Sequence, residues 1–159
     1  MRSTKLALGL LLALGAAGCA TTEQPVAQRP GATGDVVAER QRLMKLHGAL
    51  WKDVQDKAKA GNIEGIAVSA EAMALSAQRI PSVFPQGSLT EKSKAKPEVW
   101  QKFPEFEAAA KKFETESVKL RDAAKTKNAV ATNAVIKDFG RNACATCHQP
   151  FRVPPPRQG

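Results

Sequence analysis

Residues 144–148 read Cys-Ala-Thr-Cys-His and hold two of the chain's three cysteines and one of its two histidines. Cys144 and Cys147 stand three apart, so on a helix both thiols lie on one face. The His148 imidazole follows at once. Three chemistries use such a set. A redox dithiol needs a thiolate stabilised at a helix N-terminus, ordinarily in a strand–helix–strand setting. Structural zinc needs four ligands, and only His47 is left to supply the fourth. Covalent attachment of a c-type haem uses this spacing itself. Each thiol adds to a vinyl group on one edge of the macrocycle, and the adjacent imidazole turns onto the iron as proximal ligand. A chance match that holds no cofactor is the bland alternative.

The start of the chain bears on that choice. A basic opening, Met1 to Lys5, precedes an uncharged apolar run from Leu6 to Ala17. Such a run is shorter than the roughly 20 residues of a membrane span and suits an export signal over residues 1–18. It ends in Ala16-Ala17-Gly18-Cys19, which resembles a bacterial lipoprotein cleavage box with Cys19 as the lipid-bearing residue. The alternative is an ordinary cleavable signal with Cys19 incidental. On either reading the mature chain works outside the cytoplasm, in the periplasm. Export favours haem, because bacteria attach c-type haem after translocation.

Removing Arg2 and Lys5 from 24 basic residues leaves 22 against 15 acidic, a net charge of +7. An exported protein rarely meets nucleic acid, so the charge points to acidic redox proteins or anionic lipid surfaces. Lysines that merely solvate helix faces are the plainer explanation. With Cys19 lipidated or removed, one close cysteine pair is left, which is not a disulfide scaffold.

The elements that must position the motif are helices. Residues 19–34 are small, polar and broken by Pro25 and Pro30, a flexible tether spanning roughly 20 Å. From Asp35, an N-cap candidate, Val37, Arg40, Met44, His47, Trp51 and Val54 recur at helical steps. A second stripe runs from Ile63 through Ile66, Ala70, Met73 and Ala77 to Ile80, where Pro81 stops it. Residues 81–97 form one long crossover. Pro104 suits a helix's first turn, so residues 97–103 are expected to be a short separate turn, with a third helix through Phe106, Phe113, Leu120 and Ala124. A fourth runs from Ala129 into the cysteine pair. Four helices of this length imply an all-α, antiparallel up-down four-helix bundle with its long crossover between helices 2 and 3.

A four-helix bundle with Cys-x-x-Cys-His on its last helix resembles the class II c-type cytochromes, cytochrome c′ and its low-spin, methionine-ligated relatives. The resemblance covers residues 35–152. The motif is followed by Phe151 and Arg152, the aromatic and basic residues that the family places there. Arg40 and Met44 in ERQRLMK stand at the family's spacing of an arginine and a distal-pocket residue, and the IPSVFPQGS and KPEVW stretches are also similar. The resemblance implies one covalently bound haem c held by Cys144 and Cys147, with His148 as the proximal iron ligand. It also allows a homodimer through the first two helices. Two features depart from the pattern. Pro150 is expected to push Gln149 out of helical geometry and end the last helix at His148. The tail, residues 153–159, is Pro-rich and expected to be extended, with no role assigned.

The other side of the iron divides the functional readings. At about 100° per residue, Arg40, Met44, His47 and Trp51 fall within an arc of about 60° on the first helix. Ligation by Met44 gives low-spin iron with a raised potential and one-electron transfer. If Met44 only packs on the ring, the iron is five-coordinate and binds nitric oxide or carbon monoxide. His47 is the rival ligand. Arg40 is expected to meet a haem propionate or line the distal side. Trp51, Trp100 and the phenylalanines at 103, 106 and 113 read as core. No paired carboxylates or nucleophile–base set suggests an enzyme. The reading is an exported, lipid-anchored monohaem electron carrier, with a gas-binding cytochrome and a non-haem helical lipoprotein as its rivals.

Overall fold

The computed structural model describes residues 33–156. The expected export signal, Cys19, most of the expected tether and residues 157–159 lie outside the described residues. Helix α1, Thr33–Lys59, begins two residues before the expected cap at Asp35, within the ordinary play of helix ends. Its inward stripe buries Val37, Leu43 and Val54, along with Arg40 and His47. The turn that ends α1 uses Gly61 at φ +72°, a left-handed conformation that costs glycine nothing.

Helix α2, Ile66–Ala77, is shorter than the stripe suggested. Ile63 and Ile80 are buried just outside it, the first in the turn after α1 and the second ahead of a 3-10 turn at Pro81–Val83. Its buried face is largely small, with Ser69, Ala70, Ala74 and Ala77, and it packs closely on α4. After the crossover come a single turn, α3 at Glu98–Gln101, and then α4 at Phe103–Lys125 with Pro104 in its first turn, as expected. Asn128 caps α5, Ala129–Phe139, by accepting from the Ala131 amide at 3.0 Å.

The last arm departs from a plain α-helix twice. A π-helical segment, Gly140–Ala145, separates α5 from α6, Thr146–Phe151. Moreover, α6 carries Pro150 inside it, so the helix does not stop at His148 as the proline suggested. Pro150 is the fifth residue of α6, and the missing N–H deprives only the Thr146 carbonyl. The helix recovers at once, because the Arg152 amide donates to the His148 carbonyl at 3.2 Å.

The four arms, α1, α2, α4 and α5–α6, form the antiparallel four-helix bundle. Helix α1 packs on α2 and the 3-10 turn, whereas α5, the π segment and α6 pack on α4. Two apolar cavities lie between α1 and the last arm. Their far end is closed by Trp51 of α1 stacked on Phe139 of α5, with ring centroids 4.7 Å apart.

Candidate functional site

The π segment delivers the cysteine pair. An i→i+5 segment offsets the side chains after it, and such bulges recur at functional sites. Phe139 and Ala143 anchor this one in the core, both fully buried. Cys144 and Cys147 stay half-buried and unbridged. Two apolar cavities adjoin them. The larger, about 280 Å³, is walled by Val37, Ile80, Phe84, Val99, Phe106 and Phe151. The smaller, about 150 Å³, lies toward His47, Trp51, Phe113 and Phe139. Met44, Ile80, Cys147 and His148 line both.

Burial sets the protonation states. It pushes the Cys144 thiol up, and with Cys144 as a further cause it pushes Cys147 up to about 11. A reactive dithiol requires the opposite shift, so the redox reading loses its basis. His148 is exposed as a residue, yet partial desolvation of its ring, and then Arg152, lower the imidazole below its ordinary value. That favours the neutral ring that binds metal.

His47 also faces the smaller cavity, but it is engaged elsewhere. Its Nε2 pairs with the Ser76 hydroxyl at 2.9 Å, and its ring packs on Phe113 at 4.7 Å. Burial, helped by His148, brings its pKa down to about 4. It is poorly disposed to complete a zinc site with the motif.

Arg40 has a role the sequence did not suggest. Its Nε donates to the Val83 carbonyl at 2.5 Å and its Nη1 to the Ser88 carbonyl at 3.0 Å. Nη1 reaches Ser93 Oγ at 3.5 Å and Nη2 pairs with Ser88 Oγ. Four of its five N–H groups thus hold the crossover, and one is left for the cavity. Burial lowers its pKa to about 10, so it stays charged. Trp100 likewise secures the crossover, donating to the Phe84 and Pro85 carbonyls. No local pattern marks these bonds, because the partners lie far along the chain and are mostly backbone.

The family model described as Cytochrome C′ matches residues 35–152. The chain belongs to the cytochrome c′ family. Among curated relatives, a cytochrome c-556 of Agrobacterium fabrum is 32% identical over 120 residues, covering 74% of this chain and 80% of that one. A cytochrome c′ of Pararhodospirillum photometricum is 36% identical over 90 residues, 52% of this chain and 66% of its own. The crystal structure of cytochrome c′ from Rubrivivax gelatinosus superposes with a TM-score of 0.66 at 26% identity, covering 77% of this chain and 98% of that one. As a c-type cytochrome of this family the protein carries haem c covalently, and its work is electron transfer or gas binding. The non-haem reading finds no support. The residues fit the group: two unbridged thiols and a neutral-leaning imidazole border apolar space, and Lys45, Lys94 and Arg152 supply cations at the edge of the larger cavity.

Proposed function

We propose that Cys144 and Cys147 form the two thioether bonds, that His148 and Met44 are the axial iron ligands, and that the protein carries single electrons in the periplasm. One observation carries this reading. Met44 on α1 and His148 on α6 each border both cavities, so a thioether and an imidazole approach the same space from opposite walls. A haem held by these residues would supply one-electron chemistry, and the soft sulfur of Met44 would favour its ferrous state. The chain's own part is to position and shield. The phenylalanine walls keep water out, which raises the potential further by disfavouring the extra charge of the ferric form. Lys45, Lys94, Arg152 and the remaining N–H of Arg40 are placed to receive the carboxylates.

Several wider features support the rest of the reading. No described helix is long and apolar enough to cross a membrane, and the Ala16-Ala17-Gly18-Cys19 stretch supports attachment through a lipid on Cys19. The excess of basic residues suits an acidic redox partner. Exposed Val68 and Leu75, two turns apart on α2, and Leu46 on α1 support a homodimer through these helices.

The test is expression in a host able to attach c-type haem. A mass increased by one porphyrin that survives denaturation, and a ferric spectrum with the weak charge-transfer band of iron–methionine bonding, are expected. A colourless product overturns the haem assignment. A coloured product without that band, whose ferrous form binds carbon monoxide rapidly, overturns Met44 ligation in favour of gas binding.

A further inference from the structure

The crossover passes over the mouth of the larger cavity, where Ser93, Lys94 and Ala95 line it. It is fastened on both sides of that passage. On the α1 side stands the Arg40 guanidinium, bonded to Val83, Ser88 and Ser93 and lying over the Phe84 ring at 4.4 Å and the Trp100 ring at 5.4 Å. On the α6 side the fastening is an antiparallel bridge between Ala95 and Arg152. There the Lys96 amide donates to the Phe151 carbonyl at 2.9 Å and the Val153 amide to the Lys94 carbonyl at 2.8 Å. Lys96 Nζ adds a bond to the Gln149 carbonyl at 3.1 Å.

These fastenings stand in register with the two walls of the site. Arg40 precedes Met44 by one helical turn, and Phe151 follows His148 by just under one. A helix transmits the position of one turn to the next nearly rigidly. The two walls rest mainly on different partners, α1 on α2 and α6 on α4, and α1 reaches α4 and the last arm only deeper in the bundle, through His47 on Phe113 and Trp51 on Phe139. At this end of the bundle, the crossover is what ties them together.

We infer that Arg40 is a positioning residue: through the crossover and its bridge to residues 151–153 it sets the separation of α1 from α6, and with it how closely Met44 stands to the iron position beside His148. This rests on Met44 being the distal ligand, but the strap also governs entry to the space between those walls. Loosening either fastening raises the population in which Met44 has swung away. An external ligand that needs the open position then binds faster in proportion to that population.

The experiment uses the haem-loaded full chain and carbon monoxide as the probe, with Arg40→Leu, Val153→Pro and Met44→Ala made in parallel. Val153→Pro removes the N–H that bonds Lys94 and sets the proline ring against that carbonyl, so it opens this end of the bridge. Its predecessor, Arg152, is already extended at φ −122°, ψ 137°, as a residue before proline prefers, so this variant is expected to fold even if Arg40→Leu does not. Losing one such bond is expected to speed carbon monoxide association with ferrous protein by roughly threefold to tenfold. It should also lower the reduction potential and weaken the iron–methionine band, with haem content unchanged. If Met44→Ala opens the site but Val153→Pro keeps the wild-type rate and potential while lowering only thermal stability, the strap is structural and the inference fails. If Met44→Ala changes nothing but Val153→Pro speeds binding, the ligand assignment fails and the strap stands. If neither changes the rate, both fail.

Discussion

The Nε2 atom of His47 lies 2.9 Å from the Ser76 hydroxyl, and that hydroxyl lies 2.7 Å from the Ala72 carbonyl, one turn back on α2. A carbonyl only accepts, so the hydroxyl proton can go to it. With the proton there, the hydroxyl oxygen accepts from His47 in the tautomer that carries its proton on Nε2. The pair fastens α1 to α2 beside the site and holds the ring neutral among Phe113 and the apolar wall.

A pH dependence follows. The unfolded imidazole titrates near 6.5, and burial brings the folded one down to about 4. Between those values the unfolded chain binds the extra proton. Stability is therefore complete above the unfolded value and is lost as pH falls through this window, by about 3 kcal/mol. His47→Gln keeps an N–H for Ser76 but does not titrate. Urea titrations of the holoprotein between pH 7 and 4 should show this acid limb flattened in the variant, with the haem spectrum unchanged. A variant with the wild-type slope would assign the limb to other groups.

Phe106 tests the packing behind the crossover. It is 1% exposed and meets Phe84 and Phe151 edge-on, at 4.7 and 5.4 Å between centroids. Phe106→Ala empties a site ringed by two elements that cannot collapse without moving the crossover or α6. A cost of about 3–5 kcal/mol is expected, with a thermal midpoint lowered by at least about 10 °C. A loss under about 1 kcal/mol would mean that the neighbours relax into the hole.

The sequence carried the motif and the helix stripes because both are local patterns. Met44 and His47 shared an arc at helical spacing, and both line the smaller cavity. Pro104 marked the start of α4, where it stands. What the sequence hid is non-local or backbone-borne. Arg40 spends its guanidinium on groups more than forty residues away, so it read only as a haem partner. The π segment has no residue signature in GRNACA. Pro150 read as a stop because the rule concerns local sterics, whereas α6 closes past it through the Arg152 amide.

Lys127 occupies the left-handed region at φ 59°, between α4 and the cap of α5. A side chain there costs about 1 kcal/mol relative to glycine. Its ion pair with Glu64, 2.9 Å long, joins two exposed side chains and returns little. Lys127→Gly should therefore stabilise the protein by about 0.5 kcal/mol, after glycine's larger unfolded-state entropy is deducted. Chemical denaturation measures it, and a destabilised variant would show the ion pair to be worth more than its exposure implies.

Met44 separates the two modes of action. Met44→Ala should abolish the iron–methionine band and let ferrous protein bind carbon monoxide. Met44→His should restore a six-coordinate, low-spin spectrum at a lower potential, since a harder nitrogen ligand favours ferric iron more than sulfur does. Redox titration of the three proteins checks the order: wild type highest, histidine variant lower. Equal potentials in wild type and Met44→His would remove Met44 from the iron.

The proposed lipid on Cys19 makes a prediction about where the protein is found. A lipoprotein anchor carries several acyl chains and binds essentially without release, whereas a basic surface alone holds anionic lipid by an attraction that salt screens. With its net positive charge the protein has both routes open, so fractionation must separate them. Wild type should stay with membranes through a high-salt wash. Cys19→Ala should appear in the soluble periplasmic fraction with full haem content, because residue 19 lies outside residues 35–152, the stretch that matches the haem-binding family. A Cys19→Ala protein that remains membrane-bound until salt is added would place the attachment on the basic surface, and one that resists salt would put the anchor elsewhere in the chain.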